Sequence, residues 1–229
     1  MLSVSIEDYI KSIYALQMED QRATTKRIAE RLGVRMASVT GMIKHLASEG
    51  FLRHTPYHGV VLSEKGKRVA VDLIRRHRLI ELFLSKALGL TWDEVHADAE
   101  VLEHAVSDRI IERIYEYLGR PAFDPHGSAI PVKYGSIPPP QGVPLDALAE
   151  GDVGRIVEVS DRDPAFLRYL TRLDLTIGTE VNVRAWAPFG GPVTLQIGSG
   201  DDILLGSEAC SRIRVEQLKR SKATRGAKR

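Results

Sequence analysis

The sequence predicts a mainly α chain with a small β domain: an N-terminal winged helix-turn-helix, a helical domain suited to dimerisation and metal binding, and a C-terminal SH3-like β-barrel. Three observations carry this. Apolar residues recur at helical spacing through most of residues 5–118, and a proline- and glycine-rich stretch then interrupts the pattern at residues 121–144. Beyond the break, short runs alternate apolar and polar residues between Gly-rich turns. The expected boundaries are 1–70 for the winged helix, 71–120 for the helical domain, 121–144 for a linker, 145–218 for the barrel and 219–229 for a disordered basic tail.

The elements follow in order. "SIEDYIKSIYALQ" (5–17) spaces Ile6, Ile10, Ile13 and Tyr14 for a helix with Ser5 as its N-cap. "TTKRIAERLGV" starts at a Thr cap and stops at Gly33, and "RMASVTGMIKHLASEG" places Val39, Ile43 and Leu46 on one face before Gly50. Two short helices joined through a Gly turn make a helix-turn-helix, and the β-prone runs 51–55 and 60–62 around "PYHG" add the wing. "EKGKRVAVDLIRRHRLIELFLSKAL" reads as one long helix or two joined, and "WDEVHADAEVLEHAVSDRIIERIYEYL" as another, with apolar surface enough to pair with a second subunit. Past the linker, "GDVGRIVEVSD", "TEVNVRAW", "GPVTLQIGSGDDILLG" and "CSRIRVEQL" read as strands, with "PAFLRYLTRLDL" a short helix between the first two.

Composition narrows the function. The hydrophobic content of 43% is ordinary for a globular chain, and no apolar run approaches the roughly 18 residues of a membrane span. "MLSVSIEDYIKS" lacks a basic region followed by an apolar one, and the lone Cys210 supports neither an internal disulfide nor a Cys-rich zinc site, so a cytoplasmic protein is expected. The net charge of +2 conceals two opposed segments. Residues 21–80 hold thirteen Lys/Arg against four Asp/Glu, whereas residues 81–118 hold three against nine. The first suits a polyanion and the second a cation.

The cation-attracting residues are arranged rather than scattered. At 100° per residue, His96, Glu100, Glu103 and His104 fall within one stripe about 100° wide, beside an apolar stripe formed by Val95, Ala99, Leu102, Val106 and Ile110. On the preceding helix His77 and Glu81 stand at i and i+4, on the same face. One such pair is common by chance. Two, on helices joined by the short "ALGLT" connection, point to metal binding. A hydrolytic metal enzyme would use similar ligands, but the sequence offers no nucleophile or oxyanion loop, so no enzymatic activity is expected.

For DNA, the third helix offers Arg35, Ser38, Thr40 and Lys44, with the small Ala37 and Gly41 allowing close approach to base edges. Lys26, Arg27, Arg53, Lys65 and Lys67 suit phosphates, and Tyr57 and His58 stand at the wing tip.

"EDYIKSIYAL", "IAERLGVRMASVTGMIKHL", "GVVLSEKGK", "RHRLIELFL", "EVHADAEVLEHAVSD" and "DPHGSAIP", in this order, resemble the metal-dependent transcriptional repressors that include the diphtheria toxin repressor and the manganese transport regulator. The resemblance spans about residues 5–218 and implies a homodimer that binds a palindromic operator in double-stranded DNA. It implies a primary metal site of Asp8, Glu100, Glu103 and His104, and an ancillary site of His77, Glu81 and His96. From the C-terminal domain it implies a further ligand, Asp163 or Asp161, while Phe166 takes the position where another is expected. Iron-responsive members place sulfur ligands where this chain has Asp8 and Glu100, so Mn(II) is the expected cofactor and Fe(II) the alternative. The compact manganese regulators carry an acid where this chain has Lys11, so two separated sites are expected rather than a binuclear one.

Overall fold

The computed structural model describes residues 2–19, 22–55 and 59–219, and the chain divides into two compact units. The first takes residues up to 77 with 102–108 and 131–137; the second takes 78–101, 109–130 and 138 onward.

In the first unit, α1 (Val4–Met18) is capped by Ser3 and not by Ser5. Ser3 has the extended backbone an N-cap requires and its Oγ accepts from the Ile6 amide at 3.4 Å, whereas Ser5 already lies in the first turn. Helix α2 (Thr25–Leu32) begins where Thr24 Oγ1 accepts from the Arg27 amide and ends at Gly33, whose φ of 64° closes the helix in the left-handed region. Helix α3 (Met36–Ser48) follows, then the antiparallel strands β1 (Leu52–Thr55) and β2 (Gly59–Leu62), with Leu52 opposite Leu62. Val60 and Leu62 are buried and Val61 is exposed, the alternation of a half-buried strand. Ile10, Ile13, Ile28, Val39 and Leu46 form the centre of this core. Gly66 is required there, because a Cβ would lie 2.3 Å from the Phe51 carbonyl oxygen.

Helix α4 (Glu64–Leu88) is a single long helix. The helix expected over residues 92–118 is instead two, α5 (Val95–Ala105) and α6 (Asp108–Tyr117). Arg76 of α4 accounts for the break. Its Nε donates to the Glu103 carbonyl at 3.0 Å and its guanidinium also reaches the Val106 carbonyl and the Asp108 carboxylate, occupying acceptors that a continuing helix would use.

The second unit carries one antiparallel sheet of strand order β3-β8-β4-β5-β6-β7, made by β3 (Val143–Pro144), β4 (Val153–Val159), β5 (Glu180–Trp186), β6 (Val193–Ile197), β7 (Asp202–Leu205) and β8 (Ile213–Lys219). Helix α7 (Pro164–Arg172) connects β4 to β5 and α8 (Ser207–Ser211) precedes β8. This is the SH3-like domain expected, its core built from Ile156, Leu167, Leu170, Val181, Leu195 and Val215. Strand β3 and α8 are too short to leave a periodic signal. Part of the stretch read as linker is ordered: Phe123 bridges Ala129, and Asp124, His126 and Ser128 are buried. No described helix is long and apolar enough to cross a membrane.

Leu167 has no exposed surface and sits at the centre of the second core. Leu167→Ala is expected to cost about 2–5 kcal/mol, read as a lowered urea midpoint followed by the fluorescence of Trp186, which packs on that core.

Candidate metal centre

The first unit gathers its ionisable groups around one carboxylate. Glu103, with no exposed surface, receives Lys11 Nζ at 2.8 and 2.9 Å on its two oxygens, and His77 Nδ1 lies 2.6 Å from Oε2. His104, the next residue, has Nε2 3.5 Å from Glu103 Oε1 and 3.2 Å from Asp8 Oδ1, while its Nδ1 pairs with Glu7 Oε2 at 2.5 Å. His104 Nε2 thus lies within 3.5 Å of both Asp8 and Glu103. Glu100 belongs to the second unit, where its carboxylate is 3.7 Å from His96 Nε2. Glu7 has no counterpart among the sequence-based ligands. One turn before Lys11 on α1, it orients the imidazole of His104.

In the second unit the centre is Glu81, also without exposed surface. His96 Nδ1 is 3.1 Å from its Oε1, and His126 Nδ1 is 3.7 Å from its Oε2. Glu81, Asp124 and His126 each offer a ligand atom within 4.8 Å of the others, and so do Glu81, His96 and Asp161. Asp161, rather than Asp163, is therefore the residue near Glu81 and His96. Asp163 is occupied as the N-cap of α7, accepting from the Ala165 amide at 2.9 Å, with Arg212 3.6 Å from its other oxygen. Phe166 is buried beneath the Arg212 guanidinium.

Asp124 and His126 were not singled out as ligands, because proline density pointed to a linker. The available signal was "DPHG", in which Gly127 has φ 85° and a Cβ would lie 1.9 Å from the Val157 carbonyl oxygen. That close turn delivers two ready donors. His126 Nε2 donates to the Trp92 carbonyl at 2.7 Å, which leaves Nδ1 as the nitrogen that could hold a cation once the ring is neutral. Asp124 Oδ1 accepts from the His126 and Ser128 amides, and its Oδ2 is buried without a hydrogen bond, 3.6 Å from Arg78 Nε. His126 Nδ1 is likewise buried without a hydrogen bond. Imidazole and carboxylate donors with lone pairs left over fit a divalent cation of the first transition row.

Burial, reinforced by the Glu81 charge, pushes the Asp124 carboxyl up to about 7. For His126 burial works downward, but Glu81, Asp124 and Asp161 outweigh it and carry the imidazolium up to about 9.

Most of the residues expected to face DNA lie on the surface. On α3, Arg35, Ala37, Ser38, Thr40 and Lys44 are exposed while Val39 and Leu46 are buried, and Lys26 and Arg27 are exposed on α2. Lys65 instead donates to the Glu49 carbonyl, and Lys67 pairs with Glu64. Tyr57 and His58 lie outside the described residues.

Comparison with known proteins finds three family models along the chain. Residues 1–60 match the family described as iron dependent repressor, N-terminal DNA binding domain; residues 63–132 match the iron dependent repressor metal binding and dimerisation domain; residues 143–217 match the FeoA domain. The chain is 31% identical over 222 residues to the iron-dependent repressor IdeR of Mycobacterium tuberculosis, covering 93% of this chain and 96% of that one. It is 40% identical over 114 residues to the transcriptional regulator MntR of Bacillus subtilis, covering 50% of this chain and 80% of that one. Among solved structures, a manganese-dependent transcriptional repressor in complex with manganese superposes with a TM-score of 0.85 at 41% identity, covering 93% of this chain and all of that one. ScaR with bound Cd2+ superposes at 0.81 with 34% identity, covering 93% and 99%.

Both raised groups bind protons more tightly folded than unfolded, so each contributes stability that is full below its ordinary value and lost as pH rises through the folded one. For Asp124 the window runs from 3.8 to about 7, and for His126 from 6.5 to about 9. Chelator-treated protein is therefore expected to lose on the order of 3–4 kcal/mol per group across these windows. Thermal melts at pH 6, 7.5 and 9 test this, with His126→Gln flattening the upper half of the profile.

Proposed function

The chain belongs to the iron-dependent repressor family, and on that premise we propose that it is a sequence-specific DNA-binding regulator that represses metal-uptake genes when Mn(II) is plentiful. The family is one of transcriptional repressors and not of enzymes. The observation that carries the metal reading is that His104 Nε2 lies 3.2 Å from Asp8 of α1 and 3.5 Å from the buried carboxylate of Glu103 on α5.

We assign the first ion to Asp8, Glu103 and His104, with Glu100 as the fourth ligand that the resemblance gives. The second falls to Glu81 and His96 with Asp161, Asp124 and His126, and His77 as the ligand given by the resemblance. Carboxylate oxygens predominate in both sets, which favours Mn(II) over softer ions, with Fe(II) the alternative. A bound divalent cation supplies positive charge to carboxylates that otherwise repel one another. The residues do the rest: Asp8 ties the start of the DNA-binding segment to α5, and α3 presents Arg35, Ala37, Ser38, Thr40 and Lys44 to a major groove. In a homodimer on a palindromic operator, fixing α1 sets the spacing of two such helices to one turn of DNA, about 34 Å. Metal and operator then strengthen each other's binding by the same factor.

Chelator-treated protein mixed with labelled DNA from upstream of its own gene should shift that DNA on addition of Mn(II) at fixed salt. Asp8→Ala and Glu103→Ala should each lose the metal response, and Arg35→Ala or Lys44→Ala should weaken the metal-loaded complex by roughly tenfold or more. Equal shifts with and without chelator would sink the reading.

A further inference from the structure

One group at the first centre is neither a ligand nor a bystander. Lys11 stands one turn beyond Asp8 on α1, and its ammonium bonds both oxygens of Glu103 at 2.8 and 2.9 Å. It also lies 3.4 Å from His77 Nδ1. We propose that Lys11 is a tethered competitor for the first metal site: its ammonium holds the Glu103 carboxylate until a divalent cation displaces it, and so sets the concentration at which the site fills. The inference rests on Glu103 being a metal ligand.

The argument is one of charge and access. Glu103 has no exposed surface, and a carboxylate so placed needs a full countercharge. His77 and His104 are close by, and Lys11 contacts both carboxylate oxygens. A divalent cation drawing on Glu103 needs lone pairs that now accept from the ammonium. It would also sit within a few ångströms of a like charge, where repulsion is strong in a partly buried setting. Lys11 keeps 21% of its side chain exposed, so its flexible stem can carry the released ammonium to water without breaking the core. A lysine is suited to this. An arginine would grip the carboxylate with a planar fork that is harder to displace.

The test is Mn(II) binding to full-length chelator-treated protein, by isothermal titration calorimetry with free Mn(II) counted by electron paramagnetic resonance. Glu103→Gln identifies which binding phase belongs to this site. In that phase Lys11→Met is expected to bind Mn(II) at least about tenfold more tightly, and Lys11→Arg several-fold more weakly. The arginine variant keeps Glu103 compensated, so it remains informative should the methionine variant fail to fold. Unchanged or weaker affinity in Lys11→Met, or unchanged or tighter affinity in Lys11→Arg, overturns the role of Lys11 and leaves the site standing. If wild type shows no phase that Glu103→Gln removes, the site assignment falls, and the inference falls with it.

Discussion

The organisation of the first unit depends on a carboxylate that has no access to water. An isolated charge at Glu103 would cost several kcal/mol, so the fold must bring cations or hydrogen-bond donors to it. They arrive from different elements: Lys11 from α1, His77 from α4, and His104 from α5 itself. One residue thereby recruits three helices, one of which opens the DNA-binding segment. Whatever cation occupies that carboxylate is felt along α1, whose other buried residues, Ile10 and Ile13, pack in the same core as Val39 and Leu46 of α3.

Glu103 is also held from behind. Its carbonyl accepts from Arg76 Nε, and the same guanidinium reaches past the end of α5 to Val106 and Asp108. Side chain and main chain are fixed independently, so the carboxylate does not have to search for its geometry when a ligand arrives. The second unit uses the same economy. Asp124 commits one oxygen to two backbone amides, and His126 commits Nε2 to a backbone carbonyl, so each keeps one atom for a cation and presents it in a set orientation.

Much of this was legible before any coordinates. The helical stripe of His96, Glu100, Glu103 and His104, and the His77/Glu81 pair, follow from periodicity alone, and the Thr24 and Gly33 signals bounded α2 correctly. Three features were hidden for physical reasons. The break between α5 and α6 arises from Arg76, a residue some thirty positions upstream, and no local propensity reports a tertiary bond. Asp124 and His126 sit in a stretch whose prolines mimic a linker, although the prolines and Gly127 build a tight turn there. Asp163 and Asp161 are two residues apart, and it takes the capping bond to Ala165 and the nearby Arg212 to distinguish the structural acid from the one near Glu81.

The two centres neutralise their buried carboxylates by different means. At Glu103 the counter-ion is a covalently tethered ammonium, which must move aside but need not change its protonation. Near Glu81 the negative charge draws a proton instead: Glu81, Asp124 and Asp161 outweigh burial and carry the His126 imidazolium up to about 9. The first carboxylate is thus met by a side-chain cation fixed in the sequence, and the second by an imidazole whose charge depends on its acidic neighbours.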